Sequence, residues 1–310
     1  MSDRRRGWKL LVHGGAGVIE RELLTAEEDA SIRAAIDHAL ATGARMLEAG
    51  RDALDAVEAA ARELEDDPHF NAGRGSVFTY QGTTEMDAAI MDGRTRAAGA
   101  VAGATGTRNP VSLARAVMEQ SPHVMLSREG ADEFSRQKGL DQAPPEYFEV
   151  EWRRRQYEEV KASPGPWFDE EMKYGTVGAV ALDLDGNLAA ATSTGGMTGK
   201  RWGRIGDSPI IGAGTWADGH CAVSATGTGE YFIRAAVAHE ISARIRLAGA
   251  SLRDAAEAAI ADMGALGGTG GVIAVGADGE AALVFNSIGM YRGLASAEGR
   301  TVAIYGDEMC

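Results

Sequence analysis

Apolar positions along this chain alternate between helical spacing and short continuous runs. Trp8 to Val12 is a short run that predicts a buried strand, and His13-Gly14-Gly15-Ala16-Gly17 after it reads as a tight glycine loop. Thr25-Ala26-Glu27-Glu28 matches a capping box, with Thr25 as the cap and Glu28 reaching back to it. Ile32, Ile36, Leu40 and Met46 then follow helical spacing to an end near Gly50. A second helix starts near Asp52 and places Leu54, Val57, Ala61 and Leu64 on one face. Asn109-Pro110 opens a third, with Pro at the first helical position. A helix beginning at Gly229-Glu230 runs through Ile233, Val237 and Ile241.

Between the helices, Asp-Gly pairs recur at Asp92-Gly93, Asp185-Gly186 and Asp278-Gly279, each flanked by apolar runs. That is a strong hairpin signal, so the strands are expected mainly as antiparallel hairpins rather than a parallel Rossmann-type sheet. From Asp141 to Tyr174 the pattern breaks: Pro144-Pro145, Pro164-Gly165-Pro166 and dense charge predict a helix followed by a mobile linker near 141–175. An ordinary solvated loop has the same composition.

The 310 residues, 45% of them hydrophobic, suffice for one large domain with a substantial core. The net charge of -14 excludes a phosphate-backbone binder. Two cysteines, Cys221 and Cys310, make neither a metal spacing nor a disulfide framework, which suits a reducing compartment. No apolar stretch approaches the roughly 20 residues of a membrane span. Arg4-Arg5-Arg6 is followed only by Leu10-Leu11-Val12, shorter than the roughly 7–15 apolar residues of a signal peptide. A cytoplasmic enzyme that neither enters a membrane nor binds nucleic acid is the expectation.

Candidate chemistry concentrates at Gly175-Thr176-Val177-Gly178, where the charged segment gives way to the run through Leu182. Thr176 reads either as a residue capping a strand or as a nucleophile exposed when the chain cuts itself. The second reading has a physical motive. A hydroxyl needs a base, and a free α-amine titrating near about 7.7–8.0 supplies one within the same residue. The hairpin about Asp185-Gly186 could return Thr194 beside Thr176. No G-x-S-x-G elbow is present. Thr198-Gly199-Lys200-Arg201 fails as a phosphate loop, because Arg201 follows the lysine and Thr194 stands where the first glycine is required. Gly267-Gly268-Thr269-Gly270-Gly271 precedes its strand instead of following one.

Several segments in order resemble the plant-type L-asparaginase/isoaspartyl peptidase family of N-terminal-nucleophile hydrolases. They are His13-Gly14-Gly15-Ala16-Gly17, Asn71-Ala72-Gly73-Arg74-Gly75, Glu85-Met86-Asp87-Ala88, Met91-Asp92-Gly93, Gly175 to Ala181, Thr192 to Gly196, Gly203 to Pro209 and Ala225 to Glu230. Related glycosylasparaginases place Asp directly before the nucleophile, where this chain has Gly175. A glycosylasparaginase-like hydrolase and a processing-dead binding protein of the same fold are the alternatives. The resemblance implies a single α+β domain over residues 1–310, a four-layer αββα sandwich of two antiparallel sheets flanked by helices. It implies self-cleavage between Gly175 and Thr176, giving fragments 1–175 and 176–310 that pair and then dimerise. It also implies release of L-aspartate from β-aspartyl dipeptides and L-asparagine.

By the same resemblance Thr176 is the nucleophile, Thr194 supports it, Asn71 bonds nearby, and the Thr226 hydroxyl with the Gly227 N–H forms an oxyanion hole. Without the resemblance, Thr226-Gly227 is equally a glycine-rich helix start and Asn71 a buried turn residue. Arg204 offers a planar fork for a substrate α-carboxylate and Asp207 an acceptor for its ammonium; a surface ion pair is the bland alternative. His13 is expected to be structural. No catalytic cofactor is implied. A structural sodium ion is, held by backbone carbonyls of Leu64, Glu65, Asp67, Phe70, Ala72 and Arg74. Arg74 stands where relatives usually carry an aliphatic residue.

Overall fold

A computed structural model describes residues 7–162 and 175–309. Along the chain come β1 (Lys9–Gly17), α1 (Ala26–Glu48), α2 (Ala53–Asp66), β2 (Met86–Asp92), β3 (Ala98–Ala104) and α3 (Pro110–Gln120). Next are β4 (Met125–Ser127), α4 (Arg128–Gln137), α5 (Pro145–Phe148) and α6 (Glu151–Ala162). After the segment outside the described residues follow β5 (Val177–Leu182), β6 (Leu188–Thr194), β7 (Thr215–Ala217), β8 (Cys221–Gly227), α7 (Gly229–Ala235), α8 (Val237–Ala248) and α9 (Leu252–Ala265). The chain closes with β9 (Gly270–Gly276), β10 (Ala281–Phe285), β11 (Gly289–Ser296) and β12 (Gly299–Tyr305).

The strands form two sheets. One has eight strands in the order β12-β11-β1-β5-β6-β2-β3-β4, the other four in the order β10-β9-β8-β7. All three Asp-Gly pairs lie between hairpin strands, β2–β3, β5–β6 and β9–β10. Helices α1, α2 and α3 pack against the larger sheet, α8 and α9 against the smaller, and β1, β5 and β6 touch β8 and β9. Three apolar clusters correspond: one centred on Leu10, Leu40, Val57 and Ile90, one on Val223, Ile241 and Ile260, and one on Leu11, Val180 and Ile273. Every residue of β2 and β5 is buried. Covered on both faces, these strands read as continuous apolar runs instead of alternating.

The Thr25 capping box and the Pro110 helix start form as expected. Three expectations change. The glycines after Val12 are not a loop: β1 continues to Gly17 with a register shift between His13 and Gly15. A bulge there lets other backbone approach, since a Cβ on Gly15 would lie 2.4 Å from the Gly175 Cα. The helix from Gly229 is two helices, broken at Ala236 with φ +48°. The break lets Ala238 and His239 donate their N–H groups to Ala213 and Gly212, which satisfies the first turn of α8. The sheets are not wholly antiparallel, because β3 and β4 pair in parallel after the α3 crossover. The helix expected in the 141–175 segment is present as α6, preceded by the short α5, while the expected linker falls on residues 163–174, which, like Arg4-Arg5-Arg6 and Cys310, lie outside the described residues. Among the described residues no helix is long and apolar enough to cross a membrane.

Candidate functional site

Antiparallel pairing of β5 with β6 sets Val177 against Ser193, so Thr176 comes beside Thr194. The Thr176 hydroxyl donates to Thr194 Oγ1 at 3.0 Å, and the Gly196 N–H donates to the same oxygen at 3.0 Å. Thr194 is buried and Thr176 half-buried.

Gly175 has φ +100°, a conformation that a side chain would strain. It is wedged between β1 and the Phe70-Asn71 turn; a Cβ on Gly175 would lie 2.7 Å from the Asn71 nitrogen. The Asn71 N–H donates to the Gly175 carbonyl at 2.9 Å. The Asn71 side chain holds the surrounding turn: Nδ2 donates to Gly196 C=O at 2.7 Å, and Oδ1 accepts the Val77 N–H at 3.0 Å. Asn71 therefore faces the Gly175–Thr176 bond with its backbone, not its amide.

Arg204, Asp207 and the start of α7 converge. A Cβ on Gly229 would lie 2.8 Å from Asp207 Oδ1 and 3.0 Å from Arg204 Nη2. The Arg204 fork is already engaged, Nε to Glu230 Oε1 at 2.9 Å and Nη2 to Glu230 Oε2 at 3.0 Å. That leaves Nη1 as the guanidinium nitrogen without a hydrogen-bond partner among the described residues. Asp207 is buried, and its Oδ2 has no partner among the described residues. Burial, only partly offset by Arg204, pushes its carboxyl up to about 7. Asp87, paired in register with Thr194, has a similarly unpartnered Oδ2 and a raised pKa, again from burial. The Lys200 ammonium, its pKa lowered by burial, donates to Glu85 C=O at 2.7 Å and offsets Asp87 electrostatically.

Thr226 and Gly227 end β8, the strand that packs across from β5 and β6. Gly227 has φ +148° and lies against Gly270, where a Cβ would meet the Thr269 carbonyl at 2.3 Å. His13 is fully buried, which lowers its pKa to about 3, so it is neutral and no general base. It contacts the Thr176 carbonyl through Nδ1 at 3.0 Å.

The segment expected as a loop from Leu64 to Arg74 begins inside α2, and the end of that helix and the turn after it, through Gly75, fold tightly about two glycines. A Cβ on Gly73 would lie 2.3 Å from the Glu65 carbonyl oxygen, and one on Gly75 would lie 2.0 Å from that of Phe70 and 2.8 Å from that of Pro68. The carbonyls of Glu65, Pro68 and Phe70 thus border the close approaches to Gly73 and Gly75. The Glu65 side chain instead caps α3, Oε1 accepting the Val111 N–H at 2.9 Å. Burial raises its pKa to about 8.

Sequence reasoning missed Glu230, Ser224, Thr192 and Thr215 near the site. Two of them carried a readable signal. Thr192 and Ser224 each stand two residues before an assigned threonine on the same strand, hence on the same face. Glu230 carried none beyond being the first acidic residue of α7.

A family model described as asparaginase matches residues 6–304. The isoaspartyl peptidase of Escherichia coli K12 is 51% identical over 292 residues, covering 91% of each chain. The isoaspartyl peptidase/L-asparaginase of Mus musculus is 43% identical over 274 residues, 87% of this chain and 82% of the relative. The plant-type L-asparaginase of Pyrococcus furiosus is 45% identical over 265 residues, 81% and 83% respectively.

Proposed function

Because the chain belongs to the asparaginase family, we propose that it hydrolyses β-aspartyl dipeptides and L-asparagine with Thr176 as an N-terminal nucleophile made by self-cleavage. The observation that carries this reading is the Thr176–Thr194 hydroxyl contact of 3.0 Å beside a positive-φ Gly175. The two sheets with helices against each support reading the architecture as a four-layer αββα sandwich.

In self-cleavage the Thr176 hydroxyl attacks the Gly175 carbonyl. The Asn71 N–H, 2.9 Å from that oxygen, stabilises the charge developing on it. Collapse breaks the peptide bond, moves the acyl group from nitrogen to oxygen and leaves the Thr176 amine free. Water then hydrolyses the ester, releasing fragment 1–175 and regenerating the hydroxyl at the head of fragment 176–310.

In turnover the free amine takes the Thr176 hydroxyl proton, directly or through water, and Thr194 orients the oxygen. Attack on the aspartyl side-chain carbonyl gives a tetrahedral intermediate whose oxyanion the Thr226 hydroxyl and Gly227 N–H receive. The amine's proton passes to the leaving group, ammonia or the amino end of the second residue. Water cleaves the aspartyl ester and frees L-aspartate. Arg204 holds the α-carboxylate through Nη1, and Asp207, ionised, accepts the α-ammonium through Oδ2.

The carbonyls of Leu64, Glu65, Asp67, Phe70, Ala72 and Arg74 would hold a sodium ion, whose charge would stiffen the loop leading to Asn71. No catalytic step involves it. The working particle is a cytoplasmic dimer of αβ units, and light scattering of matured protein that found an active single αβ unit would refute that assembly.

Intact-mass analysis and N-terminal sequencing of matured protein test the central reading, with a fragment beginning at Thr176 expected. Thr176→Ala should remain one chain and turn over neither substrate. A cut at another residue, or an active Thr176→Ala, would sink the mechanism.

A further inference from the structure

Beneath the nucleophile lies a row of polar side chains that the reaction does not consume. His13 on β1, Ser224 on β8, Thr192 on β6 and Thr215 on β7 are all fully buried. They come from both sheets and make one chain of contacts. His13 Nδ1 lies 3.0 Å from the Thr176 carbonyl and Nε2 lies 2.9 Å from Ser224 Oγ. Ser224 Oγ is 2.7 Å from Thr192 Oγ1, which is 2.7 Å from Thr215 Oγ1.

These distances leave one order for the protons. A carbonyl only accepts, so His13 Nδ1 carries the hydrogen. Burial keeps the ring neutral, with its pKa lowered to about 3, so Nε2 is bare and accepts from Ser224. The single Ser224 proton is then spent. The contact between Ser224 and Thr192 must use the Thr192 proton, and the next must use that of Thr215. The carbonyls of Gly214 and Ser208, 3.1 Å from Thr192 Oγ1 and 3.0 Å from Thr215 Oγ1, are left as secondary acceptors. Donation runs from Thr215 to Thr192, Ser224, His13 and the Thr176 carbonyl.

We propose that His13 is a positioning residue for Thr176, locked in one tautomer by the Ser224–Thr192–Thr215 hydroxyl row. The proposal rests on Thr176 as the nucleophile. Once Gly175 is cut away, Thr176 has no upstream tether, and its backbone pairing with β1 begins only at Gly178 opposite His13. The plane of its one remaining peptide bond then decides where Oγ1 and the new amine point. The bond from His13 fixes that plane. The row sits directly under the chemistry: Thr192 is two residues from Thr194 and Ser224 two from Thr226, so each strand carries a buried positioning hydroxyl and a site hydroxyl on one face.

The test combines a spectrum with kinetics. Imidazole 15N shifts of the matured protein, with His13 assigned by its loss in His13→Asn, should show a protonated Nδ1 and a bare Nε2, unchanged between pH 5 and 9. A displacement of Oγ1 by about 1 Å costs on the order of 100-fold. His13→Leu should therefore cut itself more slowly and lose about that factor in kcat, with KM on a β-aspartyl dipeptide little changed. His13→Asn, whose amide can donate from the Nδ1 position, should recover most of the loss. Ser224→Ala should lose a smaller factor in kcat alone. A protonated Nε2, a titrating ring, or a His13→Leu enzyme with wild-type kcat would overturn the proposal. If His13→Leu does not fold, the spectrum of the unaltered protein decides alone. Failure of the nucleophile assignment is separable, since it would appear as turnover by Thr176→Ala whatever the His13 spectrum shows.

Discussion

The two ends of the central strands treat buried carboxylates in opposite ways. At the end carrying the β5–β6 and β7–β8 turns, Asp183 accepts from the N–H groups of Ala53, Asp185 and Asn187 and from the Asn187 amide. Asp218 accepts from Trp216 Nε1, Ser242 and the N–H groups of His220 and Cys221. Burial alone would raise the Asp218 pKa, but the bonds from Ser242, His220, Trp216 and Cys221 outweigh it and hold the pKa below the usual range. At the Thr176 end, Asp207 and Asp87 each keep an oxygen without a partner, and burial raises both. Satisfied acids hold turns; an unsatisfied buried acid costs stability and gains a partner only when a cationic ligand arrives. Empty volume teaches less. A cavity of about 680 Å³ lies at the turn end, rimmed by Arg94, Trp216 and Asp218, yet its carboxylate is already satisfied.

The largest effect that could break this contrast is on Arg204. Arg204→Ala should still cut before Thr176, because the internal peptide bond has no α-carboxylate to grip. Its kcat/KM on both substrates should fall by about 2–5 kcal/mol, roughly 30- to several-thousand-fold. Arg204→Lys should recover only part, since one ammonium cannot keep the two-pronged pair to Glu230 and also reach the carboxylate. A matured Arg204→Ala enzyme with near wild-type kcat/KM would move the clamp elsewhere.

The acids should respond with opposite signs. Asp207 is raised from 3.8 to about 7, so between those values the folded state holds a proton the unfolded state has lost. Stability therefore falls as pH rises through that window, and the deficit is complete above about 7. Asp207→Asn should melt higher than wild type at pH 8, by up to about 4 kcal/mol, with the advantage vanishing near pH 4. It should also lose substrate binding. In wild type, KM should rise as pH drops below about 7 and Asp207 protonates. Asp218 has a lowered pKa, so its contribution is present above about 4 and lost in acid. Asp218→Asn should cost about 1–3 kcal/mol at pH 7. Parallel thermal melts across pH check both, and a destabilised Asp207→Asn at pH 8 would contradict the contrast.

The smallest effect belongs to Glu230. Its pair with Arg204 is half solvated, the side chains being 50% and 19% exposed, so the pair contributes about 1 kcal/mol or less. Glu230→Ala should change KM by less than about fivefold, and a loss as large as that of Arg204→Ala would make Glu230 part of the clamp itself.

Local chemistry was legible before any coordinates. The Thr25 capping box, Pro110 at a helix start and three Asp-Gly hairpins depend on neighbours a few residues apart, and each formed where the pattern put it. The hairpin at Asp185-Gly186 even brought Thr194 to Thr176, because register carries a turn's geometry along the strand. The motif residues Arg204 and Asp207 also proved to be neighbours in space, although their partners were not foreseeable.

Other features were decided only by packing between distant segments. Glycines 14 and 15 read as a loop but continue a strand, because Phe70 and Gly175 press against them from elsewhere in the chain. The break at Ala236 has no glycine to announce it; the carbonyls of Gly212 and Ala213 make it favourable by taking the amides it frees. Sequence alone determined the locally coded helix starts and hairpin turns, the family motifs and the alternation that puts Thr192 below Thr194. Tertiary structure decided which buried polar groups are satisfied, from the His13 row to the bare oxygen of Asp207. Hydrogen bonding and desolvation depend on atoms hundreds of positions apart along the chain but within about 3 Å in space.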